Sequence, residues 1–171
     1  MSENDQNAAP EFGRFHAVIP PDGGKSWWQP LPSRGHVSVT LSPDNMPYDF
    51  FSSGTQVLPP GCSIREHGHA RNHELLFIHK GTGTVTIEDQ TWDLAPGATV
   101  LFGRYSRHFV VNTGTEDMHI FWVFMPPALE DWFPAIGRPR TPGEPMPEPF
   151  DRPDNVSDMQ AKLRFVPAKP R

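Results

Sequence analysis

Cysteine is nearly absent from the chain, which sets a first limit on the class of protein. Cys62 is the only cysteine among 171 residues, so no disulfide can form within the chain. A single cysteine does not indicate whether the protein resides in an oxidising or a reducing compartment. No neighbouring residue activates the thiol, and we expect a buried, unreactive side chain at this position.

Excess basic charge and long apolar runs are also lacking. The formal net charge is -5 at pH 7, which provides no basic surface for nucleic acid, and no helix-turn-helix pattern is present. No apolar run approaches the roughly 20 residues of a membrane-spanning helix. Residues 1–10 are polar and acidic, unlike a secretory signal peptide. We therefore expect a cytoplasmic protein with no nucleic-acid or membrane partner.

Short apolar and β-branched segments separated by glycine- and proline-rich turns make up the middle of the chain. In residues 36–41, Val37, Val39 and Leu41 alternate with polar residues, which is typical of a half-buried strand. Many short strands with little helical pattern predict an all-β sandwich or barrel. The predicted strands are 36–41, 54–58, 63–69, 74–79, 84–88, 91–94, 98–102, 108–112 and 118–125.

Histidine and glutamate side chains come together on these predicted strands. His67 and His69 are two residues apart, so on a strand both point to the same face. Glu74 opens the next strand, and His108 begins a later one and supplies a possible third imidazole. Imidazole nitrogens and carboxylate oxygens are ligands of divalent transition metals. The pattern predicts a metal site with mixed nitrogen and oxygen ligands.

The first histidine pair belongs to a longer pattern. Five residues match G-x5-HxH-x4-E-x6-G at every defining position: Gly61, His67, His69, Glu74 and Gly81. This pattern resembles the first conserved motif of the cupin superfamily.

A second pattern lies downstream and resembles the second cupin motif, G-x5-P-x-G-x2-H-x3-N. Gly97, His108 and Asn112 match it, whereas Gly103 and Tyr105 stand where the family usually has proline and glycine. The two departures fall in a turn, so they concern the shape of the loop and not the ligand set. The resemblance covers about residues 37–125 and implies a double-stranded β-helix, which is a small jelly-roll barrel.

By position, the resemblance implies that His67, His69, Glu74 and His108 bind one divalent metal. One or two coordination positions would remain for water or substrate, which distinguishes a catalytic metal from a structural one. Fe²⁺ is the expected metal, with Mn, Ni, Cu or Zn as alternatives, because this ligand set suits all of them.

Three functions are compatible with such a site. The first is a metal-dependent oxidoreductase, a dioxygenase resembling quercetinase-like and diketone-cleaving cupins, acting on a small aromatic or enolisable carbonyl substrate. Glu74 would then be both a ligand and the catalytic proton acceptor. The second is a non-redox isomerase, lyase or decarboxylase that uses the metal as a Lewis acid. The third is a ligand-binding barrel without turnover, although an intact ligand set argues against it.

Substrate contacts are predicted from strand alternation. Leu76 and Val110 share the inner faces of their strands with the predicted metal ligands. Arg65 shares the face of the two motif histidines, where it would bind a substrate carboxylate or form a salt bridge at the rim. Gln56 would support the ligands by a hydrogen bond.

On the last predicted strand, 118–125, either of two faces could point into the barrel. One face carries His119, Phe121 and Val123, and the other carries Ile120, Trp122 and Phe124. We favour the second face, with Trp122 as a pocket residue.

The predicted organisation is an N-terminal tail and arm (1–34), the barrel (35–125) and a proline-rich C-terminal extension (126–171). Residues 1–12 are polar and predicted to be disordered. The tryptophan pair at 27–28 would pack outside the barrel, line its mouth or join a subunit interface.

Prolines crowd the C-terminal extension, and only residues 127–132 have a helical pattern. The extension nevertheless contains large apolar side chains, namely Trp132, Phe133, Ile136, Phe150 and Phe165. These favour an ordered arm that packs on its own barrel or on a second subunit, and we expect a homodimer.

Overall fold

Short antiparallel strands account for most of the ordered structure. The computed structural model describes residues 15–169, so the predicted disorder of residues 1–12 lies outside the described residues. Twelve strands and two helices occur in the described part. The strands are β1 (Lys25–Trp28), β2 (His36–Leu41), β3 (Ser52–Leu58), β4 (Ser63–His69), β5 (His73–Lys80), β6 (Gly83–Ile87), β7 (Gln90–Leu94), β8 (Thr99–Phe102), β9 (His108–Val111), β10 (Met118–Met125), β11 (Arg138–Pro139) and β12 (Phe165–Val166). The helices are α1 (Leu129–Ile136) and α2 (Val156–Lys162).

The strands form two antiparallel sheets that face each other. One sheet has the order β11-β1-β2-β3-β10-β5-β8, and the other has the order β12-β4-β9-β6-β7. Apolar side chains from the inner faces of both sheets and from α1 form one core. This is the all-β jelly-roll barrel that the sequence predicts, and every predicted strand is present with boundaries shifted by at most two residues.

Alternation sets which side chains reach the interior. On β5, Glu74 is buried together with Leu76 and Ile78, and on β9 His108 is buried together with Val110. On β10 the buried face carries Ile120, Trp122 and Phe124, which is the face favoured from the sequence. The predicted ligands therefore point into the barrel.

The segment after β10 packs on its own barrel. Helix α1 begins two residues later than predicted and continues through Pro134, because Leu129, Trp132, Phe133 and Ile136 form an apolar face that the core covers. Helix α2 was not predicted at all. Strand β12 pairs with β4, and β11 pairs with β1. Neither helix in residues 15–169 is long and apolar enough to cross a membrane.

The N-terminal segment also joins the barrel. Strand β1, which was not predicted, pairs with β2, and Trp28 is buried while Trp27 packs against the core. Cys62 is half-buried, and burial raises the pKa of its thiol. The three-part division at 34 and 125 stays a prediction. The homodimer also stays a prediction, since these tryptophans are covered by their own chain.

Candidate metal centre

Three strands bring the four predicted ligands to one point. His67 and His69 lie near the end of β4, Glu74 lies at the start of β5, and His108 opens β9. Strands β4 and β9 pair with His67 opposite His108. One donor atom from each of the four side chains lies within 4.8 Å of the other three. The β4–β9 pair and strand β5 therefore assemble the cluster that the two sequence motifs predict.

The donor atoms lie close together but do not form hydrogen bonds with one another. The Glu74 Oε2 atom lies 3.3 Å from His69 Nε2 and 3.1 Å from His108 Nε2. All three atoms are buried, and none has a hydrogen-bond partner. Buried polar atoms are normally paired, because leaving one unpaired costs about 1–3 kcal/mol. Acceptor atoms that converge in this way fit a bound cation.

Backbone carbonyls orient two of the imidazoles. His67 Nδ1 lies 2.8 Å from the carbonyl oxygen of Arg65, and His108 Nδ1 lies 3.1 Å from that of Ser106. A carbonyl oxygen only accepts, so each Nδ1 carries the hydrogen and donates it. The Nε2 lone pair of each neutral ring is then directed at the cluster, which is the usual arrangement of a histidine that binds a metal.

Electrostatics favour the neutral form of His67 and the ionised form of Glu74. Burial lowers the pKa of His67 well below its usual range, and the neighbouring His108 and His69 lower it further. Burial alone raises the pKa of Glu74, but the adjacent His108 and His69 imidazoles outweigh it and hold the pKa well below the usual range. A neutral imidazole and an ionised carboxylate are the ligand forms of these side chains.

Aromatic rings enclose the imidazoles. Phe102 stacks on His108 with 3.8 Å between ring centroids and 7° between planes. Phe124 meets His69 edge-on at 4.6 Å, and Phe165 of β12 meets the same ring at 4.8 Å. These contacts restrict rotation of the ligands and exclude water from their sides. The motifs contain none of the three phenylalanines at a defining position.

A cavity of about 540 Å³ opens beside the cluster, with His67 and Glu74 in its wall. Its volume is in the range of sites for small molecules. Two residues predicted to belong to the substrate site line this cavity: Gln56, expected to support the ligands, and Arg65, expected to bind a carboxylate.

Three other predicted substrate contacts do not lie in the cavity wall. Leu76, Val110 and Trp122 are almost fully buried in the core and are not among the cavity-lining residues. Alternation correctly indicated that they point inward. However, the inner face of a filled barrel is mostly core, and only part of it borders the cavity. Their role as substrate contacts stays a prediction that this placement does not favour.

The outer wall of the cavity comes from the C-terminal segment. Large side chains of this segment line it, namely Leu129, Trp132, Phe133, Ile136, Arg152 and Phe165. No local pattern connects these residues with the motifs, which end at Asn112. The apolar character of the extension was the one available signal, and it indicated packing without indicating where.

Comparisons with known proteins agree with this architecture. A family model described as a cupin domain matches residues 54–124. The matched residues include all the strands that carry the two motifs. The SchB protein of Streptomyces halstedii is 28% identical over 86 residues, which cover 50% of this chain and 62% of SchB.

Solved structures share the cupin fold at low identity. One is described as a predicted oxalate decarboxylase from Thermotoga maritima, with 21% identity, a TM-score of 0.56, and coverage of 65% of this chain and 100% of that chain. Another is a cupin 2 conserved barrel domain protein from Salinispora arenicola, with 22% identity, a TM-score of 0.54, and coverage of 70% and 97%. At these identities the similarity concerns the fold.

Proposed function

We propose that the protein is a metal-dependent oxidoreductase, a dioxygenase that acts on a small aromatic or enolisable carbonyl substrate. The observation that carries the proposal is the convergence of four donor atoms within 4.8 Å at the wall of a cavity. Fe²⁺ is the proposed metal, since three imidazoles and a carboxylate suit it and it reacts with O2.

The charge of the site supports an anionic or enolising substrate. Three neutral imidazoles, one carboxylate and a divalent ion sum to a net charge near plus one. When bound, the ion would supply Lewis-acid and redox chemistry at this point. Most of the remaining cavity wall is apolar or aromatic, which suits a small aromatic molecule.

The residues of the chain contribute position and protonation state. The Nδ1–H donors of His67 and His108 hold both rings with Nε2 towards the cluster. The depressed pKa of Glu74 favours its role as an ionised ligand and makes it a weak base. Acceptance of a substrate proton by Glu74 stays a prediction.

Oxygen consumption tests the proposal. Fe²⁺-loaded protein would be mixed with a panel of phenols, enols and diketones in an oxygen electrode, alongside His108→Ala and the control His73→Ala. His73 is an exposed histidine next to the cluster, and its replacement removes no ligand. We expect substrate-dependent O2 uptake with wild type and H73A but not with H108A. Product formation without O2 uptake would contradict the dioxygenase and favour a non-redox cupin reaction.

A further inference from the structure

Two guanidinium groups line the cavity from distant parts of the chain. Arg65 lies on β4 two residues before His67, and both side chains line the cavity. Arg152 comes from the C-terminal segment ahead of α2 and lies over the Trp132 ring, with its guanidinium carbon 5.5 Å from the ring centroid. The cavity therefore has a cationic side in addition to the metal ligands.

Neither guanidinium has an ion-pair partner in the part of the chain that the structure describes. Arg65 donates one hydrogen bond, from Nη2 to the carbonyl oxygen of Leu31 at 3.3 Å. Arg152 Nε is buried and has no hydrogen-bond partner. The one other carboxylate in the cavity wall besides the metal ligand, Glu66, accepts from the backbone N–H of Lys169 and pairs with neither arginine.

The two like charges are close enough to affect each other. Burial and the positive charge of Arg65 lower the pKa of Arg152 to about 10, which leaves it protonated at neutral pH. Arg65 is exposed and Arg152 is half-buried, and no counter-ion from the described chain lies between them. An anion between the two guanidinium groups would relieve their repulsion and provide a partner for the buried Arg152 Nε.

A neutral donor adds to the same wall. Gln29 is buried and lines the cavity, and its side-chain Nε2 has no hydrogen-bond partner. Donors without acceptors on a cavity wall indicate a ligand that brings oxygen acceptors. The guanidinium fork matches a carboxylate in geometry as well as in charge.

We infer that Arg65 and Arg152 form a carboxylate subsite, with Gln29 as an additional donor. The ligand is a small molecule with a carboxylate at one end and an aromatic or apolar body. Its body packs against Trp132 and Phe165, and the carboxylate lies between the arginines. The claim that this ligand is a substrate rests on the proposed function, whereas the claim that it binds between the two arginines does not.

Benzoate and its neutral analogue benzamide test the subsite directly. Both would be titrated calorimetrically into Zn²⁺-loaded protein, which binds ligand without redox turnover. The variants are Arg65→Gln, Arg152→Gln, Arg152→Lys and the control Arg104→Gln, which removes an exposed arginine outside the cavity.

We expect wild type and R104Q to bind benzoate at least about 10-fold more tightly than benzamide, because hydrogen bonds to charged groups contribute that much. R65Q and R152Q should each weaken benzoate binding by about 10-fold and leave bound zinc and benzamide affinity unchanged. R152K retains the charge and should keep an intermediate affinity.

Absence of benzoate binding to wild type, or equal affinities for benzoate and benzamide, would overturn the inference. So would R65Q and R152K variants that bind benzoate as wild type does, even if R152Q failed to fold. Benzoate that contacted the bound metal and neither arginine would have the same affinity for these variants as for wild type. Arginine-dependent benzoate binding without O2 uptake on any substrate would refute the dioxygenase and leave the subsite standing.

Discussion

Replacing Asn112 by aspartate changes one buried nitrogen to oxygen, and the structure predicts a large loss of stability. Asn112 is 0% exposed. Its Nδ2 donates to the carbonyl oxygens of Leu58 at 2.7 Å and Glu116 at 2.8 Å, and its Oδ1 accepts from the Gly114 N–H at 2.9 Å. The side chain ties together the end of β3 and the turn after β9 without touching the metal ligands. We therefore interpret this residue of the second motif as structural.

The magnitude follows from the three hydrogen bonds. Asn112→Ala removes all three, which costs about 3 kcal/mol at about 1 kcal/mol each. Asn112→Asp keeps the bond from Gly114 but turns an acceptor towards two carbonyl oxygens. At pH 7 the buried carboxylate lacks donors there, so we expect a cost of about 4 kcal/mol or more.

The pH dependence of the aspartate variant provides a second, independent sign. Protonation gives the carboxyl group one donor, so its pKa in the folded state should exceed its unfolded value. Stability relative to wild type is then highest below the unfolded pKa and falls as pH rises through the folded pKa. N112D should therefore differ less from wild type at pH 4.5 than at pH 7.5.

Urea unfolding followed by tryptophan fluorescence would measure both effects. The control is Asn45→Asp, because the exposed Asn45 also donates to a carbonyl, that of Thr40 at 2.8 Å, and accepts from the Ser42 N–H at 2.9 Å. Water can replace these bonds, so N45D should cost less than about 1 kcal/mol. A value for N112D within about 1 kcal/mol of wild type at pH 7.5 would refute the reasoning.

Two further predictions concern stability. Burial lowers the pKa of His36 to about 4. The neutral His36 side chain therefore stabilises the fold above pH 6.5, and this contribution is lost as the pH falls towards 4. His36→Gln should reduce the loss of unfolding free energy between these pH values by about 1–3 kcal/mol, allowing for partial exposure. Identical pH profiles of the two proteins in urea unfolding would contradict this. A Cβ on Gly54 would collide with the Ser38 carbonyl oxygen and the Trp122 ring, so Gly54→Ala should cost about 3 kcal/mol. Gly103→Ala, with open space around it, should change stability by less than about 0.5 kcal/mol. Equal thermal midpoints for these two variants would show that the barrel accommodates the methyl group.

Local patterns predicted the strands, and the resemblance to the cupin motifs implied the jelly-roll barrel and its ligand cluster. Alternation identified the strands and the buried face of β10, because a strand in a filled barrel has one apolar side whatever its partners are. Alternation also put His67 and His69 on one face, and the resemblance to the cupin motifs implied that Glu74 and His108 bind the same metal. Alternation depends only on neighbours along the chain.

The cavity wall could not be predicted, because it depends on where a distant segment packs. Phe165 reaches His69 through the pairing of β12 with β4, about 100 residues apart. Arg152 lines the same cavity as Arg65 through the same return of the chain. No periodicity or sequence motif indicates either arrangement. Helix α1 was predicted too short because Pro134 is unfavourable by propensity, and packing of Trp132 and Phe133 on the core outweighs that preference.

Metal content tests the central claim most directly. Wild type, His108→Ala and His73→Ala would be purified without chelator, incubated with Fe²⁺ under anaerobic conditions, desalted and analysed by elemental mass spectrometry. The four-ligand cluster predicts about one metal ion per chain in wild type and H73A, and a large loss in H108A, since removal of a ligand weakens binding and leaves a buried carboxylate unpaired. A wild-type protein that remains metal-free, or an H108A variant that retains the full metal content, would contradict it.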